Sequence, residues 1–113
     1  MRRIYIAGPY SQGDVAMNDR AAAAYEAAHE LANLGFAPFV PHHTLYWHLF
    51  FPRPYEESLK LDLEFVPCCN AVLRLPGSSS GADGEVRKAE SLGVPVFYDK
   101  ESLIRHFSSM PHR

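Results

Sequence analysis

The chain is poor in three things, and each shortage closes off a class of protein. It has only two cysteines among its 113 residues, and they are neighbours, Cys68 and Cys69. Adjacent thiols supply neither a disulfide framework nor a CxxC metal knuckle, and a thiol pair left free is the usage of a reducing compartment, so a cytoplasmic location is expected. It has no basic excess, since 11 Lys and Arg stand against 13 Asp and Glu for a formal charge of -2. Nothing in that balance grips a phosphate backbone, and a nucleic-acid polymer is not an expected partner. Long hydrophobic runs are also missing. No stretch approaches the ~20 apolar residues of a membrane span, and the opening run Ile4 to Gly8 is too short for a secretory signal. A membrane is therefore not expected either.

What the chain does have is apolar content: 47% of its residues are hydrophobic. Its length and that content suit one compact domain over residues 1–113. Short apolar, β-rich runs at Arg3 to Gly8, Phe36 to Val40, Asn70 to Leu75 and Val94 to Tyr98 read as strands, each bounded by Gly or Pro turn signals. Between them lie helical patterns. The first runs from a cap at Asn18 or Asp19 to about Leu34 and is closed by Gly35. The second runs from Pro54 to Pro67 with Leu59, Leu61, Leu63, Phe65 and Val66 as its apolar residues. The third runs from about Ala82 to Leu92 and is closed by Gly93, and a short last helix covers Glu101 to Phe107. Strands alternating with helices predict right-handed βαβ units, and hence an α/β three-layer sandwich of the flavodoxin or Rossmann type with a parallel sheet of 4–5 strands.

In such sheets ligands bind beyond the carboxyl ends of the strands. That rule singles out three loops: Gly8-Pro9-Tyr10-Ser11-Gln12-Gly13-Asp14, the aromatic segment Pro41 to Arg53, and Gly77 to Glu85. The aromatic segment packs His42, His43, Tyr46, Trp47, His48, Phe50 and Phe51 together and reads equally well as a lid over a site or as a self-packed plug. One of its histidines can touch a ligand. No Cys or acidic residue stands at standard ligand spacing from them, so a metal site is not expected. The third loop sets small and hydroxylated residues directly before a helix, where backbone N–H groups and the helix dipole suit an anion such as a phosphate. An ordinary serine cap explains the same composition. Glu85 falls in the first turn of the expected third helix. There it is either a residue matched to the dipole or an ionised nucleophile at the mouth of a pocket, able to attack an anomeric carbon.

Three segments in register carry a resemblance. Ile4-Tyr5-Ile6-Ala7-Gly8-Pro9, then Cys69-Asn70-Ala71-Val72 with Leu75-Pro76-Gly77, then Ser79-x-Gly81-Ala82-x-x-Glu85-x-x-x-Ala89 with Leu92-Gly93-Val94-Pro95-Val96 together resemble the nucleoside 2-deoxyribosyltransferase-like superfamily over nearly the whole chain. The resemblance implies cleavage or transfer at the N-glycosidic bond of a nucleoside 5′-monophosphate or (deoxy)nucleoside, without metal or organic cofactor. It implies Glu85 as the nucleophile that takes C1′, with Tyr5, Gly8 and Pro9 lining the pocket. It implies Ser79 as a phosphate contact, with Gly81 in the same loop and Ser11 as a second contact. His42 is the histidine taken to reach the base or sugar. Asn70 stands where the family places an aspartate that helps the leaving base. An amide donates and accepts hydrogen bonds but is no general acid. Asp14, Asp62, Asp83 or a loop histidine are the substitutes, and a non-catalytic nucleotide-binding module is the alternative. Relatives assemble as homo-oligomers, so a homodimer or larger assembly around a small-molecule site is expected.

Overall fold

The computed structural model describes residues 1–9, 16–43, 47–48 and 50–109, with the backbone alone for residues 16–20. Four strands are described: β1 Arg3–Ala7, β2 Ala37–Phe39, β3 Ala71–Arg74 and β4 Val96–Phe97. Among the described residues the α-helices that accompany them include α1 Ala16–Asn33, α2 Tyr55–Leu63, α3 Ser80–Ser91 and α4 Lys100–Ser108. The sheet is parallel throughout, in the order β2-β1-β3-β4, with Tyr5 paired to Phe39 on one side and to Val72 on the other. The expected flavodoxin-like α/β architecture is therefore present, with four strands among the described residues.

Strand alternation decides the layers. Side chains on a strand point to opposite faces in turn, and β1 uses both. Ile4 and Ile6 enter one core with Ala24, Ala27, Ala28 and Leu31 of α1 and Leu103 and Phe107 of α4. Tyr5 and Ala7 enter the other with Val66, Cys69, Val72 and the α3 residues Ala82 and Ala89. Alanines on α1 let its backbone lie close to the sheet. Asp99 caps α4, its carboxylate accepting from Ser102 N at 2.7 Å.

Three boundaries differ from expectation, each for a local reason. Helix α1 starts at Ala16, so Asn18 and Asp19 lie inside it instead of capping it. The second helix ends at Leu63, and the chain forms a separate 3-10 turn at Val66–Cys68, because Pro67 has no N–H with which to continue the α-helical ladder. Helix α3 begins at Ser80 because Ser79 caps it, accepting from Ala82 N at 3.0 Å. Glu85 consequently stands in the second turn of α3. The helix dipole acts mainly within the first turn, so it is not what holds this carboxylate.

Candidate active site

Two helices on the Tyr5 side of the sheet meet along a seam, and the seam is polar. On α2 the buried residues are Ser58 and Asp62, while Leu61 is exposed and Phe65, just beyond the helix, is 48% exposed. Tyr55, Ser58 and Asp62 fall at i, i+3 and i+7, one face of the helix. Facing them, α3 buries Gly81, Ala82, Glu85, Val86 and Ala89. An amphipathic surface helix would turn its leucines inward. This one buries a hydroxyl and a carboxyl most deeply, with Leu59 and Leu63 only partly buried beside them.

Glu85 is 4% exposed. The Tyr5 hydroxyl, fully buried on β1, donates to its Oε2. Tyr5 is fixed in turn by a row of rings: Phe39 lies 5.4 Å from it, and Phe65 stacks on Phe39 at 4.9 Å. Burial pushes the Glu85 carboxyl up to about 8. The Tyr5 hydrogen bond opposes that shift, the Asp62 charge adds to it, and the Arg74 cation opposes it. Asp62 is 2% exposed and pushed up to about 7 by burial, and its Oδ2 is buried with no hydrogen-bond partner among the described residues. Carboxyls that feel each other's charge lose their protons as a pair. The pair then holds two protons in mild acid, one near neutrality and none in base. In the one-proton state the charge then rests mainly on Asp62 and the proton on Glu85, while the Tyr5 donor and the Arg74 cation favour the charge on Glu85 and keep the two tautomers close.

Removing the Tyr5 hydroxyl tests its hold on the charged form of Glu85. A hydrogen bond to a charged group is worth ~1.5–3 kcal/mol. Tyr5→Phe is expected to slow turnover about 10–100-fold, and to move the acid limb of its pH profile upward, because Glu85 loses the donor that favours its charged form. Steady-state rates across pH check both.

Tyr55 joins the seam from its open end. Its hydroxyl rests on the backbone of Gly81, so closely that an added Cβ there would overlap it, and the same Cβ would lie 3.7 Å from Leu59 Cδ1. Burial pushes the Tyr55 pKa up, with the charges of Glu85, Asp62 and Glu56 adding to the shift. The phenol therefore stays protonated. Overpacking typically costs ~1–3 kcal/mol, and Gly81→Ala is expected to lose stability in that range. Adding Tyr55→Phe, which removes the overlapping oxygen, should restore most of it. Thermal melts of the single and double variants decide this.

The remaining expected site residues are placed as follows. Gly8 and Pro9 follow β1 at the carboxyl edge, beside the β1–β3 switch point, where Leu75 N donates to Ala7 O at 2.7 Å. Pro9 also packs on the turn after β3, where Gly77 takes φ +116° and an added Cβ would sit 2.8 Å from Pro9 Cγ. His42 is 1% exposed, and burial lowers its pKa to about 4 against the opposing pull of a hydrogen bond to the Pro9 backbone. It is thus a neutral imidazole, buried in the 3-10 turn Pro41–His43. Ser79 spends its oxygen on the α3 cap, and a hydroxyl that accepts one bond still has its O–H to give. Ser11 lies outside the described residues, as do Asp14 and Tyr46. His43 pairs with Tyr25 at 3.1 Å on the α1 side. Trp47 carries the Arg53 guanidinium 4.4 Å above its ring, while Phe50 and Phe51 are exposed.

Asn70 is not brought to this cluster. It is exposed, at the amino end of β3, where its Oδ1 accepts from Arg3 N at 2.7 Å and its own N donates to Arg3 O at 2.7 Å. The reason is directional: Glu85 and the loops after β1 and β3 gather toward the carboxyl side, and Asn70 enters β3 from the other. It fixes the register of β3 against β1. The acid that does face Glu85 is Asp62, one of several acidic candidates in the sequence. Asp83, another of them, is occupied by Arg74 at 3.1 Å. Among the described residues no three His, Cys, Asp or Glu side chains cluster as metal ligands, and no helix is long and apolar enough to cross a membrane.

The chain resembles the solved structure of a 2-deoxyribosyltransferase from the psychrotolerant bacterium Bacillus psychrosaccharolyticus, with a TM-score of 0.54 and 20% identity over 83% of this chain and 69% of that one. At that identity the likeness establishes the fold. No curated protein matches by sequence. Residues 2–99 match the family model described as a domain of unknown function, DUF7768, and the chain belongs to that family.

Proposed function

We propose that the protein cleaves or transfers the N-glycosidic bond of a (deoxy)nucleoside or its 5′-monophosphate, as an N-glycosidase or 2-deoxyribosyltransferase. The observation that carries this reading is the buried Glu85 carboxyl, held by the Tyr5 hydroxyl, with a protonatable Asp62 facing it across the α2–α3 seam. In the tautomer that carries the charge on Glu85 and the proton on Asp62, Glu85 Oε attacks C1′ as the bond to the base breaks. The base leaves with the bonding pair and takes the proton of Asp62. An ester links C1′ to Glu85, and the positive charge developing at C1′ is stabilised by the carboxylate. Asp62, now a carboxylate, accepts a proton from incoming water, or from an acceptor base, as that nucleophile takes C1′ and frees Glu85. Asn70 has no step in this scheme. The alternative of a nucleotide-binding module without turnover rests on Asn70, which stands toward the other end of the sheet.

The resemblance to a deoxyribosyltransferase fold supports the substrate class, and the Ser79 hydroxyl beside the α3 N-terminus supports a 5′-phosphate. Exposed Trp47, Phe50 and Phe51 favour a second copy covering that surface in a homodimer or larger assembly, which sedimentation would detect. The test of the function is chromatographic. Protein is incubated with ribo- and deoxyribonucleosides and their 5′-monophosphates, with and without an acceptor base, and free base is measured. Base release from some member of the panel is expected. Nucleotide binding without release from any member would overturn the catalytic reading.

A further inference from the structure

On the flank of α3 away from Asp62 lies a buried cation. Arg74 is the last residue of β3, and its side chain is 9% exposed. It gives NH1 to Leu75 O, and NH2 both to Gly77 O at 2.9 Å and to Asp83 Oδ1 at 3.1 Å. We infer that Arg74 is a positioning residue for Glu85, holding α3 at a fixed rotation by tying Asp83 and the Leu75–Gly77 turn to the end of β3. The inference rests on Glu85 being the reacting carboxylate.

An α-helix turns about 100° per residue, so Asp83 and Glu85, two positions apart, project about 200° from each other around α3. Arg74 holds the Asp83 side and Tyr5 receives the Glu85 side. Two contacts on opposite flanks fix the rotation of a helix where one would leave it free to roll. The same guanidinium satisfies two turn carbonyls, and that turn leads into the Ser79 cap, so the start of α3 is set by Arg74 as well. A fork with several donors is what such a tie needs, and a lysine ammonium offers a point charge instead. The asymmetry of the Arg74–Asp83 pair fits the role, with a buried guanidinium and a carboxylate left 58% exposed. The charged and titratable groups around Glu85 are Tyr5 from β1, Asp62 and Tyr55 from α2, and Arg74 from β3.

The test compares wild type with Arg74→Met, Arg74→Lys and Asp83→Asn. It uses melting temperature, kcat and KM for base release, and the titration of Glu85 followed by NMR of carboxyl-labelled glutamate. Misplacement of a reacting group by about 1 Å can cost ~100-fold. We expect kcat to fall about 10–100-fold in Arg74→Met and about 10-fold in Asp83→Asn, with KM within about twofold. The Glu85 titration should rise in Arg74→Met, stay near wild type in Arg74→Lys, and stay or fall in Asp83→Asn. A drop in kcat in Asp83→Asn without an upward titration separates position from charge. Wild-type kcat in both Arg74→Met and Asp83→Asn overturns the inference, and so does a loss that only follows the unfolded fraction. If wild type releases no base, the functional reading fails separately. The NMR arm then decides, and an unchanged Glu85 signal in Arg74→Met and Asp83→Asn overturns the positioning role.

Discussion

Glu85→Gln is expected to release base about 10⁴-fold or more slowly than wild type, with its fold intact. Replacing a covalent nucleophile removes the step that divides one difficult displacement into two easier ones, and losses of that order follow when a nucleophile is removed. The amide keeps the volume of the carboxyl, and its oxygen still accepts from Tyr5. What it lacks is the charge that meets C1′. Because the site already disfavours a buried charge, the substitution should not lower the melting temperature near neutrality. Residual base release measured beside circular dichroism separates a chemical loss from an unfolded one.

The second large effect is at Asp62, where activity and stability should move in opposite directions. Asp62→Asn cannot deliver a proton to the leaving base, and general acid catalysis is worth ~10²–10⁴-fold. A loss in that range is expected, smallest for substrates whose base leaves most easily. For stability the sign follows from the raised pKa, about 7 in the folded chain against an ordinary aspartate value of 3.8. A carboxyl whose folded pKa is raised favours folding while it is protonated. That contribution is fully present below pH 3.8 and is lost as pH rises through about 7. Wild type should therefore weaken between those limits, and Asp62→Asn should weaken less. At pH 8 the variant should be the more stable by on the order of 1–3 kcal/mol, the usual scale for an ill-satisfied buried polar group. Melts at pH 4 and pH 8 test this: converging curves at pH 4 and a more stable variant at pH 8 are expected. A variant less stable at both would show that Asp62 is a structural hydrogen-bonding residue.

Much of this was legible in the sequence, because strand alternation and helix stops are local signals. Ile4 and Ile6 against Tyr5 and Ala7 announce a two-faced strand, and Gly35 and Gly93 end their helices where expected. Glu85, Tyr5 and the Gly8-Pro9 turn were singled out through motif order. The misreadings have physical causes. The extent of the second helix was judged from its leucines, yet its buried face is Ser58 and Asp62. The signal was available, since Tyr55, Ser58 and Asp62 share one helical face, but a polar stripe is normally read as the solvent side. Asn70 drew attention because the family resemblance places an aspartate at its position. Which end of the strand faces the site depends on the sheet, and no residue near Asn70 states it. Arg74 was invisible as a functional candidate for the same reason: its three acceptors lie in a turn and a helix that only the folded chain brings to it.

The most direct measurement is of the covalent intermediate. Wild-type protein is mixed with the best nucleoside or nucleotide of the panel, quenched in acid within the first turnover, digested and mapped by mass spectrometry. The account predicts one glycosyl group on the peptide containing Glu85, absent from Glu85→Gln and accumulating when no acceptor base is present. Base release at the wild-type rate with no adduct on that peptide, together with full activity in Glu85→Gln, would contradict it.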